Sequence, residues 1–443
     1  MNPDRELAEE RLSLAELQDA WALLPPDERA WAFRTLPPQD AEDFFLSLSS
    51  ADQEAVLLAL VPEDRRSWMR LLPPDDAADL VQAAPSDERE NLLALLDDAT
   101  RREVGALLAY AEDDAGGLMN PRFARVRPDM TVDEAITYLR KQAREHLISF
   151  HYAYVLDDHQ KLLGVVPFRE LFSSSPDKRI REVMRVNVVT VSEDMDQEAV
   201  SRLFTTHHFL AIPVVDVEGR MKGIVTADDI VEVVREEATE DIQKLGGMQA
   251  LDEPYMATAF LDMIRKRGVW LAVLFVGEML TATAMSYFED EIQRAVVLAL
   301  FIPLIISSGG NSGSQATMLV IRAMSLGEVR LRDWWRVARR EVMAGLALGL
   351  ILGAIGFVRI VAWQQFQPIY GQHYLAVAFT VAFSLIGVVM FGTTAGSLLP
   401  FLLRALRLDP ASASAPFVAT LVDVSGIVIY FTIASIILAG KLL

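Results

Sequence analysis

The chain has 443 residues, with 41 Lys and Arg against 61 Asp and Glu, and no cysteine. That length is too great for one ordinary core and predicts two or more domains. The missing thiols exclude disulfides, thiolate metal sites and a cysteine nucleophile. Charge is unevenly spread: residues 265–443 hold 14 Lys and Arg and 9 Asp and Glu, which leaves 27 and 52 for residues 1–264. So acidic a leading half argues against binding nucleic acid or anionic lipid, both of which need basic surface. It suits a solvated exterior and a surface that meets cations. The opening residues, Met1 to Glu6, lack the apolar stretch of a signal peptide.

In residues 1–118 a turn signature returns every twelve residues: Pro26-Asp27, Pro38-Gln39, Ser50-Ala51-Asp52, Pro62-Glu63, Pro74-Asp75, Ser86-Asp87 and Asp98-Ala99-Thr100. Proline suits the first helical position and acids suit the first turn, so each signature predicts a helix start. Apolar residues at helical spacing follow, such as Phe44, Phe45 and Leu48, then Val56, Leu57 and Leu60. Each helix of two or three turns has too little face to bury alone, and stacked neighbours share a core. The expectation is an all-α superhelical domain, in itself no more than an interaction scaffold.

Residues 119–182 and 183–240 read as two copies of one α/β module. Val126 to Met130 corresponds to Val191 to Met195, and an amphipathic helix follows each, from Thr131 and from Asp196. A buried strand comes next, Tyr152 to Leu156 or Ala211 to Val215, then a turn, a second strand and a closing helix. The order β-α-β-β-α, with Ile212-Pro213-Val214-Val215-Asp216 and Gly223-Ile224-Val225-Thr226 in the second copy, resembles a cystathionine-β-synthase-type (CBS) pair. The resemblance implies a regulatory module of a kind that often binds adenine nucleotides such as ATP, with Thr226 and Asp229 placed to hold a ribose. A pair that only folds and dimerises is the alternative.

From Asp228 to Asp241 runs a strongly acidic helical stretch, which Gly246 and Gly247 break. Residues 241–267 form a connector, with a second helix expected from Glu253-Pro254 to Arg265-Lys266-Arg267 before the first apolar run. A connecting helix here can transmit movement, and a solvated linker is the plainer reading.

Residues 268–443 contain five runs long enough to cross a bilayer, near 268–288, 295–321, 342–363, 374–403 and 416–440. Basic residues cluster before the first run, between the second and third, and between the fourth and fifth (Arg404, Arg407). By the positive-inside rule this places residues 1–264 in the cytoplasm and the C-terminus outside. Asp423 lies inside the last run. A mid-membrane carboxylate costs about 2.5–3.5 kcal/mol even on a lenient scale, so it should face protein, water or an ion. Gly309-Gly310-Asn311-Ser312-Gly313 interrupts the second run, and freed backbone carbonyls at that depth are expected to line a wet cavity; close helix approach is the alternative. Glu278, in the first run, either lines the route or pairs with a polar neighbour such as Thr394 or Ser397. Arg359 is expected to snorkel to the interface.

Helical acidic domain, CBS pair, acidic connector and five spans, in that order, resemble the MgtE family of bacterial magnesium channels. The specific motifs are Pro303 with Gly309-Gly310-Asn311-Ser312-Gly313-Ser314-Gln315, and Asp409-Pro410-Ala411 with Pro416, Phe417, Thr420, Asp423 and Gly426. The resemblance implies a homodimer in the plasma (inner) membrane with an Mg2+ pore on its two-fold axis. The implied pore residues are Asp423, Asn311, Gly309, Gly310, Gly313, Gln315, Thr420 and Pro416. It further implies an Mg2+ sensor at Asp216, Glu218, Asp228 and Asp252 that closes the pore. Mg2+ keeps its water tightly, so outer-shell contacts to oxygen atoms suit its passage. A secondary exchanger coupling a divalent cation to Na+ or H+ is the alternative. A receptor or enzyme carried by the acidic half is a third reading. No nucleophile–base pair, phosphate-cradling loop or histidine cluster supports it, since His207 and His208 are adjacent and their side chains diverge.

Overall fold

The computed structural model describes residues 13–143, 151–251, 255, 258–367, 369–440 and 442. Internal contacts divide the chain into two compact units, residues 1–236 and 237–443.

The first unit opens with α1 (Leu14–Ala20), α2 (Pro26–Thr35), α3 (Pro38–Leu46), α4 (Ser50–Ala59), α5 (Pro62–Met69), α6 (Pro74–Ala83), α7 (Arg89–Leu95) and α8 (Asp98–Leu107). The twelve-residue signatures are helix starts, with Pro in the first turn of α2, α3, α5 and α6. One is displaced: α7 starts at Arg89 because Pro85 to Glu88 first close a turn, the Glu88 N–H donating to the Pro85 carbonyl at 2.9 Å. Phe44, Phe45, Leu57, Met69 and Leu80 are buried between the helices. A second periodic device supports them. Arg29, Gln53, Arg65, Arg89 and Arg101, all in one register of the repeat, donate to carbonyls near the end of the preceding helix, for example Arg65 Nη2 to Leu58 O at 2.6 Å. They satisfy acceptors that a helix end leaves open.

After α9 (Ala115–Leu118), the first α/β copy comprises β1 (Arg125–Val126), α10 (Val132–Ala143), β2 (Tyr152–Leu156), β3 (Leu162–Pro167) and α11 (Phe168–Ser173). The second comprises α12 (Ile180–Val183), β4 (Val191–Ser192), α13 (Gln197–His207), β5 (Ala211–Val215), β6 (Met221–Thr226) and α14 (Ala227–Leu245). In each three-stranded sheet the first pair is parallel and the second antiparallel, with Tyr154 opposite Val165 in one and Pro213 opposite Ile224 in the other. Tyr154, Leu156, Met221 and Ile224 pack the two copies together. The second copy's Val200, Phe204, Ile212 and Ile230 belong to the same buried cluster as Leu80, Val81 and Leu107. This shared core brings α6 against the start of α14.

In the second unit α14 ends and Gly247 turns the chain with φ of +74°. There follow α15 (Phe260–Tyr287), α16 (Glu289–Arg294), α17 (Ile302–Ser325), α18 (Trp334–Phe366), α19 (Tyr374–Ala405) and α20 (Ala415–Leu438). Five segments are long and apolar enough to cross a membrane: residues 260–287, 296–325, 331–366, 374–405 and 415–438. Two expectations are corrected. The helix that enters the first span does not stop at Arg267 but runs unbroken from Phe260 to Tyr287; Glu253 and Pro254, its expected start, lie outside the described residues. The Gly309 to Gly313 stretch is regular helix inside α17 and frees no run of carbonyls.

Glycine serves close approach instead. A Cβ on Gly313 would stand 2.8 Å from Val418 Cγ1 and 2.9 Å from the Gly392 carbonyl oxygen. Thr317 Oγ1 donates across the same contact to Gly396 O at 2.8 Å. Gly349 and Gly353 do likewise for α18, where added Cβ atoms would stand 2.7 Å from Ile386 Cα and 2.8 Å from Ala382 O. Backbones thus meet directly, as expected where packing rather than water expulsion holds helices together. By contrast α15 has no buried residue and packs along α20.

Candidate ion sites

Pore candidates fall on three helices. On α17, Ser307, Asn311 and Gln315 recur at four-residue spacing on a face that is exposed in a single chain. Asn311 Nδ2 donates to Ser307 Oγ at 3.4 Å, and Ser308 Oγ donates to the Leu304 carbonyl at 2.7 Å. Gly309 and Gly313 lie on the opposite, buried face, while Gly310 meets Ala419 of α20, to which an added Cβ would come within 3.5 Å. The glycines therefore let the polar stripe sit beside α20; their own role is packing.

On α20, Ser414 caps the helix and Pro416 occupies its first turn. Thr420 Oγ1 donates to the Pro416 carbonyl at 3.1 Å and so does not hold Asp423. Asp423 lies eight residues past Ala415, about 12 Å along the axis. Its carboxyl group lies close to that of Glu278 on α15. Thr394 and Ser397, the polar neighbours considered for Glu278, donate instead to carbonyls of their own helix, Met390 at 2.7 Å and Thr394 at 3.0 Å. Among the described residues neither acid forms an ion pair. Arg359 reaches Tyr370 Oη at 3.3 Å and the Trp363 ring, consistent with a place at the end of its span.

The end of α14 is held against this unit. Lys244 Nζ lies 2.7 Å from Asp409 Oδ2, in the loop before α20, and also pairs with Glu240. Burial opposes the Lys244 charge, but the two carboxylates raise its pKa above the ordinary lysine value. A Cβ on Gly247 would stand 2.9 Å from Trp270 Nε1 and 3.1 Å from Pro416 Cγ, which puts the turn at the foot of α15 and α20.

In the first unit a different acidic group assembles. Carboxylate oxygens of Asp75, Asp76 and Asp229 lie within 4.8 Å of one another. Burial, with the neighbouring carboxylates, pushes Asp75, Asp76 and Asp229 each up to about 7. Asp79, buried beside them and Glu112, stands well above its ordinary value. Asn120 Nδ2 donates to Asp75 Oδ1 at 2.7 Å, while Thr226 N and Oγ1 donate to Asp229 Oδ2 at 3.1 and 2.6 Å. These bonds aim the carboxylates without neutralising them, and among the described residues no cation pairs with the three. The free oxygens suit a hard dication, which takes carboxylate ligands.

Of this group the sequence pointed to Asp229 alone, as an implied ribose contact beside the sensor candidate Asp228, and Asp75 read only as a helix start. The shared core, which no local pattern shows, is what carries α6 to α14. Asp228 bears on Asp76 electrostatically and is itself exposed. The other sensor candidates are elsewhere. Asp216 sits in the β5–β6 turn, 2.8 Å from Arg220 Nε and 3.5 Å from Lys222 Nζ, and Glu218 lies 2.8 Å from Arg220 Nη2. Burial opposes its charge, but the Arg220 backbone and guanidinium bonds hold Asp216 down to about 2. A cation there would have to displace Arg220. Asp252 lies outside the described residues.

Comparison with known proteins agrees with these elements in order. Residues 12–113 match the MgtE intracellular N domain, residues 115–177 and 180–236 match CBS domains, and residues 302–433 match the MgtE divalent cation transporter domain. The chain is 42% identical over 344 residues to the magnesium transporter MgtE of Thermus thermophilus, covering 78% of this chain and 74% of that one. It is 33% identical over 340 residues to the MgtE of Bacillus subtilis, covering 77% and 73%. A crystal structure of the cytosolic domain of the Mg2+ channel MgtE in complex with ATP aligns at 39% identity over 52% of this chain and 93% of that chain, with a TM-score of 0.47. With a helical N domain, a CBS pair and a transporter domain each matched in sequence, and with relatives aligned over three quarters of its length, the chain belongs to the MgtE family.

Proposed function

We propose that this protein carries Mg2+ through a pore built by two copies of the chain, and that Mg2+ on its acidic first unit closes that pore. The observation that carries the reading is the polar stripe Ser307–Asn311–Gln315, exposed along α17 in a single chain, on a helix packed against α20, which carries the half-buried Asp423. Lipid cannot solvate such a face; a second copy of it, with water between, can. Two Asp423 carboxylates across a symmetry axis attract a dication that still holds its waters, and the amide and hydroxyl groups of the stripe bond to those waters. Identity of 42% to a magnesium transporter supports Mg2+ as the cargo.

Closure follows from the carboxylates of Asp75, Asp76, Asp79 and Asp229. Left without a cation they repel one another; with Mg2+ among them α6 and the start of α14 are drawn together. Mg2+ then favours whichever arrangement binds it more tightly, and the linkage closes the pore if that arrangement is the closed one. An adenine nucleotide fits the same proposal at the second CBS copy, where a ribose hydroxyl can donate to Asp229; calorimetric titration of ATP into wild type and Asp229→Ala tests it.

Uptake of Mg2+ into liposomes holding an indicator dye tests the transport reading. Wild type fills the liposomes without a counter-ion, and Asp423→Asn lowers the initial rate at least about tenfold, as loss of a charge facing a dication requires. Equal rates in the two proteins overturn the pore assignment, and a strict need for Na+ or a proton gradient replaces the channel with an exchanger.

A further inference from the structure

We propose that Glu278 is a second carboxylate of the transport site, so that each copy of the chain offers the passing dication two acids rather than one. The inference rests on the pore reading above and deepens it. It is carried by position: Glu278 belongs to α15, outside the segment that matches the transporter domain, yet the close packing of Gly277 on Thr420 brings its carboxyl group beside that of Asp423.

Three observations support it. First, Glu278 is eleven residues past Arg267, about 16 Å into the apolar run, a depth at which an idle acid is expensive. Second, the polar residues that could have neutralised it, Thr394 and Ser397, are satisfied within their own helix. Third, Thr281, one turn along the same face of α15, holds its Oγ1 out of solvent with no hydrogen-bond partner. An open hydroxyl next to two neighbouring carboxyl groups suits a particle that brings both positive charge and water. Gly277 gives α15 its close approach here, since a Cβ on it would stand 3.0 Å from Thr420 Cγ2.

The consequence is affinity. A site of one acid per chain holds a fully hydrated ion loosely. A second acid at the same level strengthens the hold on any dication and slows its release, so affinity rises more than flux. At about 5 Å in a water-filled path, one unit charge facing a dication is worth on the order of tenfold in affinity.

The test measures initial Mg2+ uptake into liposomes against external Mg2+ for wild type, Glu278→Gln and Glu278→Asp, with hexaamminecobalt(III) as a competing ion that cannot shed its ligands. Glu278→Gln raises the half-saturating Mg2+ concentration and the half-blocking hexaamminecobalt(III) concentration about tenfold. Glu278→Asp falls between. Unchanged concentration dependence in a Glu278→Gln protein that elutes as wild type does overturns the proposal and makes Glu278 a packing residue. If Glu278→Gln does not assemble, the Glu278→Asp curve decides: a shift supports the inference and coincidence with wild type overturns it. Wild type that carries no Mg2+ at all refutes the pore reading instead, a result distinct from either.

Discussion

Asp76→Asn offers the most exacting check on the acidic cluster of the first unit. Asp75, Asp76 and Asp229 stand near 7 in the folded chain, where burial and mutual repulsion hold them, against an ordinary value of 3.8. For acids raised in this way, stability is fully present below about pH 4 and is lost as pH rises to about 7, because over that window the folded chain binds more protons than the unfolded one. A single group so shifted costs about 4 kcal/mol above pH 7, and three that share one field do not sum. With a dissociation constant of about 1 mM, 10 mM Mg2+ stabilises the bound arrangement by about 1.4 kcal/mol, or tenfold in the opening equilibrium. The assay is hydrogen exchange of the full-length protein, read by mass spectrometry on peptides covering residues 74–83 and 227–236. At pH 7.5, 10 mM Mg2+ raises protection in both peptides about tenfold; at pH 5 the increment falls below about twofold. Asp76→Asn is more protected than wild type without Mg2+ and gains less than about threefold with it. Equal Mg2+ increments in mutant and wild type, or no increment in either peptide, refute the assignment of this cluster as the sensor.

Other consequences are simpler to test. Lys244→Met removes the pairing with Asp409 and Glu240, so exchange in residues 240–251 speeds up and inhibition of uptake by internal Mg2+ weakens, measured with Mg2+-loaded liposomes. Gly313→Val forces a Cβ against Val418 and the Gly392 carbonyl; overpacking of about 1–3 kcal/mol lowers the melting temperature seen by fluorescence-detected size exclusion. Arg65→Ala leaves the Leu58 and Leu60 carbonyls open at the end of α4, a loss of about 1–3 kcal/mol that appears as faster exchange in residues 56–69.

Much of this architecture is legible in the sequence because its signals are local. A proline or serine every twelve residues announces α2 to α6, and the Arg29, Gln53, Arg65, Arg89 and Arg101 register could have been read the same way. Two β-α-β-β-α units and five apolar runs are periodic patterns that need no partner. What was not legible is whatever depends on distant residues. Gly309 to Gly313 reads as a break because glycine is a poor helix former, but helix α17 persists because α19 and α20 press directly on it. Asp75 reads as a helix start until the second CBS copy places Asp229 beside it. Asp216 and Glu218 look like free acids in the sequence, and only the β5–β6 turn brings Arg220 to them. Ser307 is the residue most open to recovery, since the four-residue step from Gln315 through Asn311 leads to it.

The unbroken course of α15 bears on how a signal enters the bilayer. From Phe260 to Tyr287 it is a single rod, about 42 Å long, tied at its foot by Trp270, whose Nε1 donates to Ser414 Oγ at 3.3 Å. A displacement at that foot, where Trp270 meets the start of α20, turns an unbroken helix and moves the Glu278 carboxyl with it. On the pore reading proposed above, torsion of that one shaft would add or withdraw an acid beside Asp423 and so change how tightly a passing dication is held, before any other span has moved.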